Sequence, residues 1–336
     1  MEVGFGLITA QLFPGDDRGW PELYEQALEL AVLADRSGLD SVWTSEHHFV
    51  DDGYMPSLLA VSAAIAAVTE RISIGTGVLL APLYDPIRLA EDAATVDLIS
   101  GGRLLLGLGL GWSDVEFEAL GIPKSHRGRA MDEIIPILRR AWSGEPLDHH
   151  GAVYDLPAVA VRPTPTGGDI PIWIGGGAEA ALRRAGRLAD GLLSNAPGSR
   201  FAEQVGVISD ERSSAAGPFT FAHYEVVYLC DDPDEGWETV APLVHHMRWK
   251  YADMEASAGR GAGPVPAAPR PDDPDRLRSR ALVGTAETVA ERILAIQEEA
   301  GVRLHFVARS YLPGLAHEEQ REQVLRIAQD LKPLLA

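Results

Sequence analysis

Gly38-Leu39-Asp40-Ser41-Val42-Trp43-Thr44-Ser45-Glu46-His47-His48-Phe49 carries the plan of the whole chain. A glycine free to take positive φ stops a helical stretch cheaply, an apolar run follows at once, and that run ends in a polar tip. Upstream, Glu22 to Ser37 has helical period, and downstream Ser57 to Thr69 repeats it. Short Val/Ile/Leu-rich runs alternating with longer helical segments predict repeated βα units around a parallel sheet. Eight such runs begin near Val3, Asp40, Ile72, Leu104, Ile172, Gly191, Phe219 and Leu304.

Further helical stretches are expected at Ile87 to Ile99, Arg127 to Trp142, Glu179 to Ala189, Arg200 to Ala215, Pro233 to Glu255, Ala286 to Ala300 and His317 to Leu335. Gly101 and Gly301, like Gly38, stand immediately before a strand. The order predicts an α/β fold, a (β/α)8 TIM barrel with insertions, formed as a single domain over 1–336. Two segments depart from the alternation. The first, 145–169, contains His149-His150-Gly151 and Pro163-Thr164-Pro165 without helical period, and reads as an excursion between the fourth and fifth units. The second, 257–280, is rich in Gly, Pro and Ala and reads either as a mobile lid or as a disordered insertion. A doubly wound sheet would show comparable alternation, so the strand count alone leaves that architecture open.

With 336 residues, 46% of them hydrophobic, the chain is long enough to bury one barrel-sized core. A formal charge of −20 repels phosphate backbones and anionic lipid, which argues against nucleic acid or membrane as partner. Cys230 is the single cysteine, so neither an internal disulfide nor a thiolate metal cluster can be built from one chain. The opening residues lack a basic segment before their first strand, and no apolar run reaches spanning length; a reducing cytoplasm is the expected compartment.

In a barrel the working groups lie at the carboxyl ends of strands, so each tip bears on function. Glu46-His47-His48 ends the second run and places imidazoles, the side chains best suited to proton transfer near neutral pH, beside a carboxylate. A structural histidine pair is the plainer alternative. Zinc has little support, since neither H-E-x-x-H nor H-x-H spacing occurs, and no metal is expected. The third tip, Gly75-Thr76-Gly77-Val78, permits close approach of a flat ligand to the backbone, or is mere turn chemistry. Gly107-Leu108-Gly109-Leu110-Gly111-Trp112 lacks the last glycine of a dinucleotide fingerprint. Gly175-Gly176-Gly177-Ala178 runs into a helix, where consecutive N–H groups could seat a phosphate or simply turn the chain. Trp112, Trp173, Phe49 and Tyr311 are candidates for an apolar pocket wall and equally for packing.

Together these residues resemble the bacterial-luciferase-like superfamily of flavin- and deazaflavin-dependent oxidoreductases. The likeness is densest from Gly38 to Trp142. It includes Val42 to Phe49, the stretch Asp85-Pro86-Ile87-Arg88-Leu89-Ala90-Glu91-Asp92, Ser100-Gly101-Gly102-Arg103, Phe117, Leu120-Gly121 and Arg127. Glu-His-His-Phe at the second tip is closest to the FMN-using, luciferase α-subunit-like branch, whereas deazaflavin users more often carry Asp-His. The resemblance implies a dimeric flavin monooxygenase. Such an enzyme takes reduced FMN from a separate flavin reductase and oxygenates a small organic substrate with dioxygen through a flavin 4a-peroxide. A deazaflavin-dependent hydride-transfer enzyme and a non-catalytic flavin-binding homologue are the alternatives.

Residue by residue, the resemblance assigns proton management to His47, oriented by Glu46, with His48 as a second candidate. Thr76, Gly77, Val78, Gly109, Arg127, Gly175, Gly176, Gly177 and Ala178 fall at cofactor-binding positions, with a non-prolyl cis peptide expected at Gly77-Val78. Leu110 departs from the pattern, since the luciferase α-subunit has an arginine there that pairs with the flavin phosphate. Arg127 or Arg129 is then expected to supply that cation.

Overall fold

The computed structural model describes residues 1–212, 217–257 and 277–336. Its strands are β1 (Glu2–Ile8), β2 (Ser41–Thr44), β3 (Ser73–Thr76), β4 (Leu79–Leu80), β5 (Leu104–Gly109), β6 (Leu147–His150), β7 (Asp155–Val159), β8 (Ile172–Gly175), β9 (Gly191–Ser194), β10 (Thr220–Leu229), β11 (Ala281–Gly284) and β12 (Leu304–Arg309). Eight of them pair in parallel around a ring, in the order β1, β2, β3, β5, β8, β9, β10, β12 and back to β1. The pairing of β9 with β10 closes the cylinder, which excludes the open doubly wound sheet. All eight runs expected from the sequence are the barrel strands.

Helices α1 (Trp20–Arg36), α2 (Leu58–Val68), α3 (Pro86–Ser100), α4 (Asp114–Ala119), α5 (Arg127–Trp142), α6 (Glu179–Leu188), α7 (Gly198–Glu211), α8 (Pro233–Ser257), α9 (Ala286–Ala300) and α10 (His317–Arg326) accompany the barrel. Gly101 and Gly301 take φ of +69° and +66° and end α3 and α9 as expected. Among the described residues, no helix is long and apolar enough to cross a membrane.

Several elements differ from the sequence expectation. The excursion at 145–169 contains an antiparallel hairpin of β6 and β7, whose short exposed strands leave no clean alternation to read. Helix α4, at six residues, is too short to show a period. The last helical stretch is interrupted by a π-helical segment at Ile327–Leu331. Strand β10 runs ten residues, well past the ring; its outer half, Val226 to Leu229, pairs with the unforeseen β11. The lid expected at 257–280 lies mostly outside the described residues.

The barrel interior is filled by a small apolar cluster. Trp43 and Trp173 stand 5.2 Å apart between ring centroids, packed with Leu7, Leu193, Ala222 and Val307. Glycines on adjoining strands make the room: a Cβ on Gly75 would come within 2.3 Å of the Trp43 ring, and one on Gly191 within 2.7 Å of Trp173. The indole N–H of Trp43 donates to Ser41 Oγ, which pairs with His305 Nε2 at 2.7 Å, so the apolar plug keeps its polar atoms satisfied.

A carboxylate braces the opposite face from the strand tips. Asp35, buried near the end of α1, accepts the backbone N–H groups of Glu70, Arg71 and Ile72 at 2.9, 3.1 and 2.9 Å. Burial alone would raise its carboxyl pKa, but these three donors lower it below the ordinary value. A depressed folded-state pKa contributes stability that is complete above the unfolded value of ~3.9 and is lost as pH falls through the folded value. Asp35→Ala is therefore expected to cost about 3 kcal/mol at neutral pH, since it strands three donors. The loss should shrink in acid, which urea melts at neutral pH and near pH 3 would check.

Candidate active site

A cavity of about 640 Å³ opens at the carboxyl ends of the strands, where a barrel presents its loops. Glu46 and His47, from the tip of β2, meet there with Gly77 and Val78 after β3 and with Gly109 at the end of β5. Gly175, Gly176, Gly177 and Ala178 arrive from the end of β8, and Arg127 from the start of α5. The parallel strands thus gather residues up to 302 positions apart, from Leu7 to Arg309, around one cavity.

His47 is largely buried, and its Nδ1 lies 3.0 Å from Glu116 Oε1. A carboxylate accepts, so Nδ1 carries the proton and Nε2 is left as the nitrogen that can accept one. The ring is boxed edge-to-face by Tyr54 at 4.9 Å, Trp112 at 5.7 Å and Tyr251 at 5.8 Å. Glu116 is fully buried and also accepts the backbone N–H of His48 at 2.9 Å. This corrects the sequence expectation that Glu46 orients His47. Glu46 instead accepts from Leu80 N at 3.1 Å and Tyr84 Oη at 2.9 Å, and faces His48 Nε2 at 3.2 Å. It is a structural anchor that ties the β2 tip to the stretch after β3.

Glu116 escaped the sequence reading because α4 is a single short helix in the loop after β5, far from the His-His tip in sequence. The nearby Phe117 was part of the family likeness and could have directed attention to it. His48 does not line the cavity; burial pulls its pKa down, but the Glu46 contact and the charges of Glu46 and Glu116 outweigh this and raise it. Thr76 does not line the cavity either. Its buried hydroxyl donates to the carbonyl of Gly107 at 2.8 Å and stitches β3 to β5.

Val78 follows a cis peptide from Gly77, as the family likeness implied. Its isopropyl group sits between two glycines: a Cβ on Gly109 would approach Val78 Cγ2 to 2.4 Å, and one on Gly175 would approach Cγ1 to 2.5 Å. Space is therefore reserved on both sides of Val78 within an apolar cavity wall that Leu7, Leu80 and Leu193 extend. Beyond it, Gly176 has φ of +143°, and α6 begins after Ala178 with no side chain capping its first turn. Backbone N–H groups at such a helix start favour an anion. Arg127 lines the cavity, whereas Arg129 is exposed and does not. Arg200, Arg280 and Arg309 also line it, cations that the sequence reading did not single out. Of the four aromatic wall candidates only Trp112 lines it: Trp173 belongs to the barrel plug, Tyr311 to the core, and Phe49 is 59% exposed.

Residues 3–304 match the model of the luciferase-like monooxygenase family. The chain belongs to that family. As a luciferase-like protein it is 33% identical over 173 residues to the oxygenase component of flavin-dependent trigonelline monooxygenase from Acinetobacter baylyi, a match covering 51% of this chain and 48% of that one. It is 32% identical over 200 residues to the F420-dependent glucose-6-phosphate dehydrogenase of Amycolatopsis mediterranei, covering 57% of each. The chain thus spans about half the length of these curated relatives. Among solved structures, the monooxygenase RslO1 from Streptomyces bottropensis matches over the full length of both chains at a TM-score of 0.85 and 26% identity. The oxygenating constituent of 3,6-diketocamphane monooxygenase from Pseudomonas putida, with a TM-score of 0.79 and 22% identity, shares the fold.

Proposed function

We propose that this chain is the oxygenase component of a flavin-dependent monooxygenase, taking reduced FMN from a separate reductase and combining dioxygen with a small organic substrate beside His47. The observation that carries the reading is the shared cavity: a buried imidazole with an accepting Nε2 faces the same space as the Gly77-Val78 wall and the glycine-lined helix start. The residues fit the cofactor, because Val78 and its flanking glycines suit a flat ring, while Gly175 to Ala178 with Arg127 suit a phosphate. Reduced flavin, when bound, supplies the electrons that make dioxygen reactive. His47 takes or returns a proton at Nε2, and Glu116 keeps that nitrogen free by holding Nδ1–H. Tyr54, Trp112 and Tyr251 exclude water around the imidazole.

Parallel titrations with reduced FMN and with a deazaflavin test the cofactor. FMN should bind, and air-saturated buffer should then oxidise it with substrate-dependent consumption of oxygen. Tight deazaflavin binding without FMN binding would replace this reading with hydride transfer, which Leu110, an apolar residue in the cavity wall, favours. Gly175→Ala should weaken FMN binding by about tenfold or more, because the new methyl displaces Val78 toward the ring. Equilibrium fluorescence titration reads that change.

A further inference from the structure

Arg309 ends β12 at the barrel rim, among Tyr54, Tyr224 and Tyr251. It lies deep in the protein, and the surface it retains faces two adjoining chambers. One is the cavity described above; the other, of about 360 Å³, shares with it Asn195, Tyr224, Tyr251, Arg280 and Arg309. The second chamber is walled further by Val226, Val244, Met247 and Leu277, with Glu225 and Arg248 also on its boundary.

The charge of Arg309 has no counterpart. A guanidinium stays protonated at any ordinary pH, and enclosing it without an anion is costly. Among the described residues no carboxylate lies within ion-pair distance of it; its guanidinium has a hydrogen bond with the neutral side chain of Tyr251, and its buried Nε has no partner. Burial pushes the Tyr224 hydroxyl up to about 12 and raises that of Tyr54, so both are neutral dipoles near pH 7 and cannot neutralise it. Glu225 is engaged with His223 Nε2 at 3.1 Å. A half-buried cation with no counter-charge beside an apolar wall is a pattern that an amphipathic anion completes.

We propose that the second chamber is the substrate chamber and that the substrate is a small organic acid, its carboxylate held by Arg309 and its hydrocarbon body lying against Val226, Val244, Met247 and Leu277. The assignment rests on the monooxygenase reading for its meaning, but not for its test. A negatively charged group paired at β12 would hold the remainder of the molecule at the junction of the two chambers. Arg309 is a specificity-determining residue in this scheme.

The test is calorimetric titration of the full chain, with and without FMN, against a panel of aliphatic and aromatic monocarboxylates, each beside its primary carboxamide. At least one carboxylate should bind about tenfold or more tightly than its carboxamide, and Arg309→Gln should bring that ratio close to one. Arg309→Lys, which keeps the charge but not the fork, should retain part of the preference, and it decides the matter should the glutamine variant fail to fold. Equal affinity within every pair, a ratio unchanged in the variants, or no carboxylate bound up to about 10 mM overturns the proposal. FMN affinity measured in the same proteins separates the two readings: if FMN does not bind the parent chain the cofactor assignment falls, while the carboxylate ratio still decides this one.

Discussion

Replacing His47 by alanine is expected to lower turnover by about 10²- to 10⁴-fold while leaving thermal unfolding within a few degrees of the parent protein. The size follows from the role: a positioned imidazole that moves a proton in the rate-determining step is worth that range. The small structural effect follows from the surroundings. His47 abuts the cavity as well as the aromatic box, so truncation enlarges existing space more than it opens a sealed void, and its polar partner Glu116 keeps the His48 backbone N–H. FMN affinity should change little. Turnover equal to that of the parent would remove His47 from the mechanism, and a large drop in melting temperature would mark it as a packing residue.

Glu116→Gln should carry the second largest effect, a loss of about 10²-fold in turnover with the fold and FMN affinity retained. The substitution conserves shape but not polarity. A glutamine amide turned to donate toward Nδ1 would reverse the tautomer and put the proton on Nε2, the nitrogen the mechanism needs free. Both contacts fall on the same carboxylate oxygen, so a glutamine whose carbonyl takes that place keeps them and loses only the negative charge that supports a protonated imidazole, whereas the flipped amide loses both. Glu116→Asp keeps the charge at shorter reach and should recover part of the activity. Steady-state kinetics beside melting curves separate this positioning role from a merely structural one: equal rates for Glu116→Gln and the parent would show that the charge behind Nδ1 does not matter.

The barrel was legible in the sequence because each βα unit writes its own local signal, an apolar run, a helical period and a stopping glycine. That redundancy let all eight ring strands be located from a single chain. Strand β11 was not legible, since four residues pairing only with the overhang of β10 leave no periodic mark, and neither was the β6–β7 hairpin with its exposed, irregular faces. At the site, residues belonging to recognisable tips, His47, Gly77-Val78 and the run from Gly175 to Ala178, line one cavity. What the sequence concealed is pairing between distant tips. Glu46 sits beside His47 in the chain but turns to Leu80 and Tyr84, while Glu116, 69 positions away, reaches the imidazole. Adjacent residues of an extended tip diverge, so neighbourhood in sequence misassigned the partner. Arg309 carried no motif at all; its interest lies in the missing counter-charge, which only burial reveals.

The paired indoles of Trp43 and Trp173 bear on how a bound molecule is seated. They pack with Leu7 and Leu193, which also line the cavity, so among the described residues an apolar wall of the chamber is the face of a filled barrel interior. A molecule seated against that wall therefore meets close-packed carbon that has little room to yield, so its depth in the cavity is set by the barrel itself.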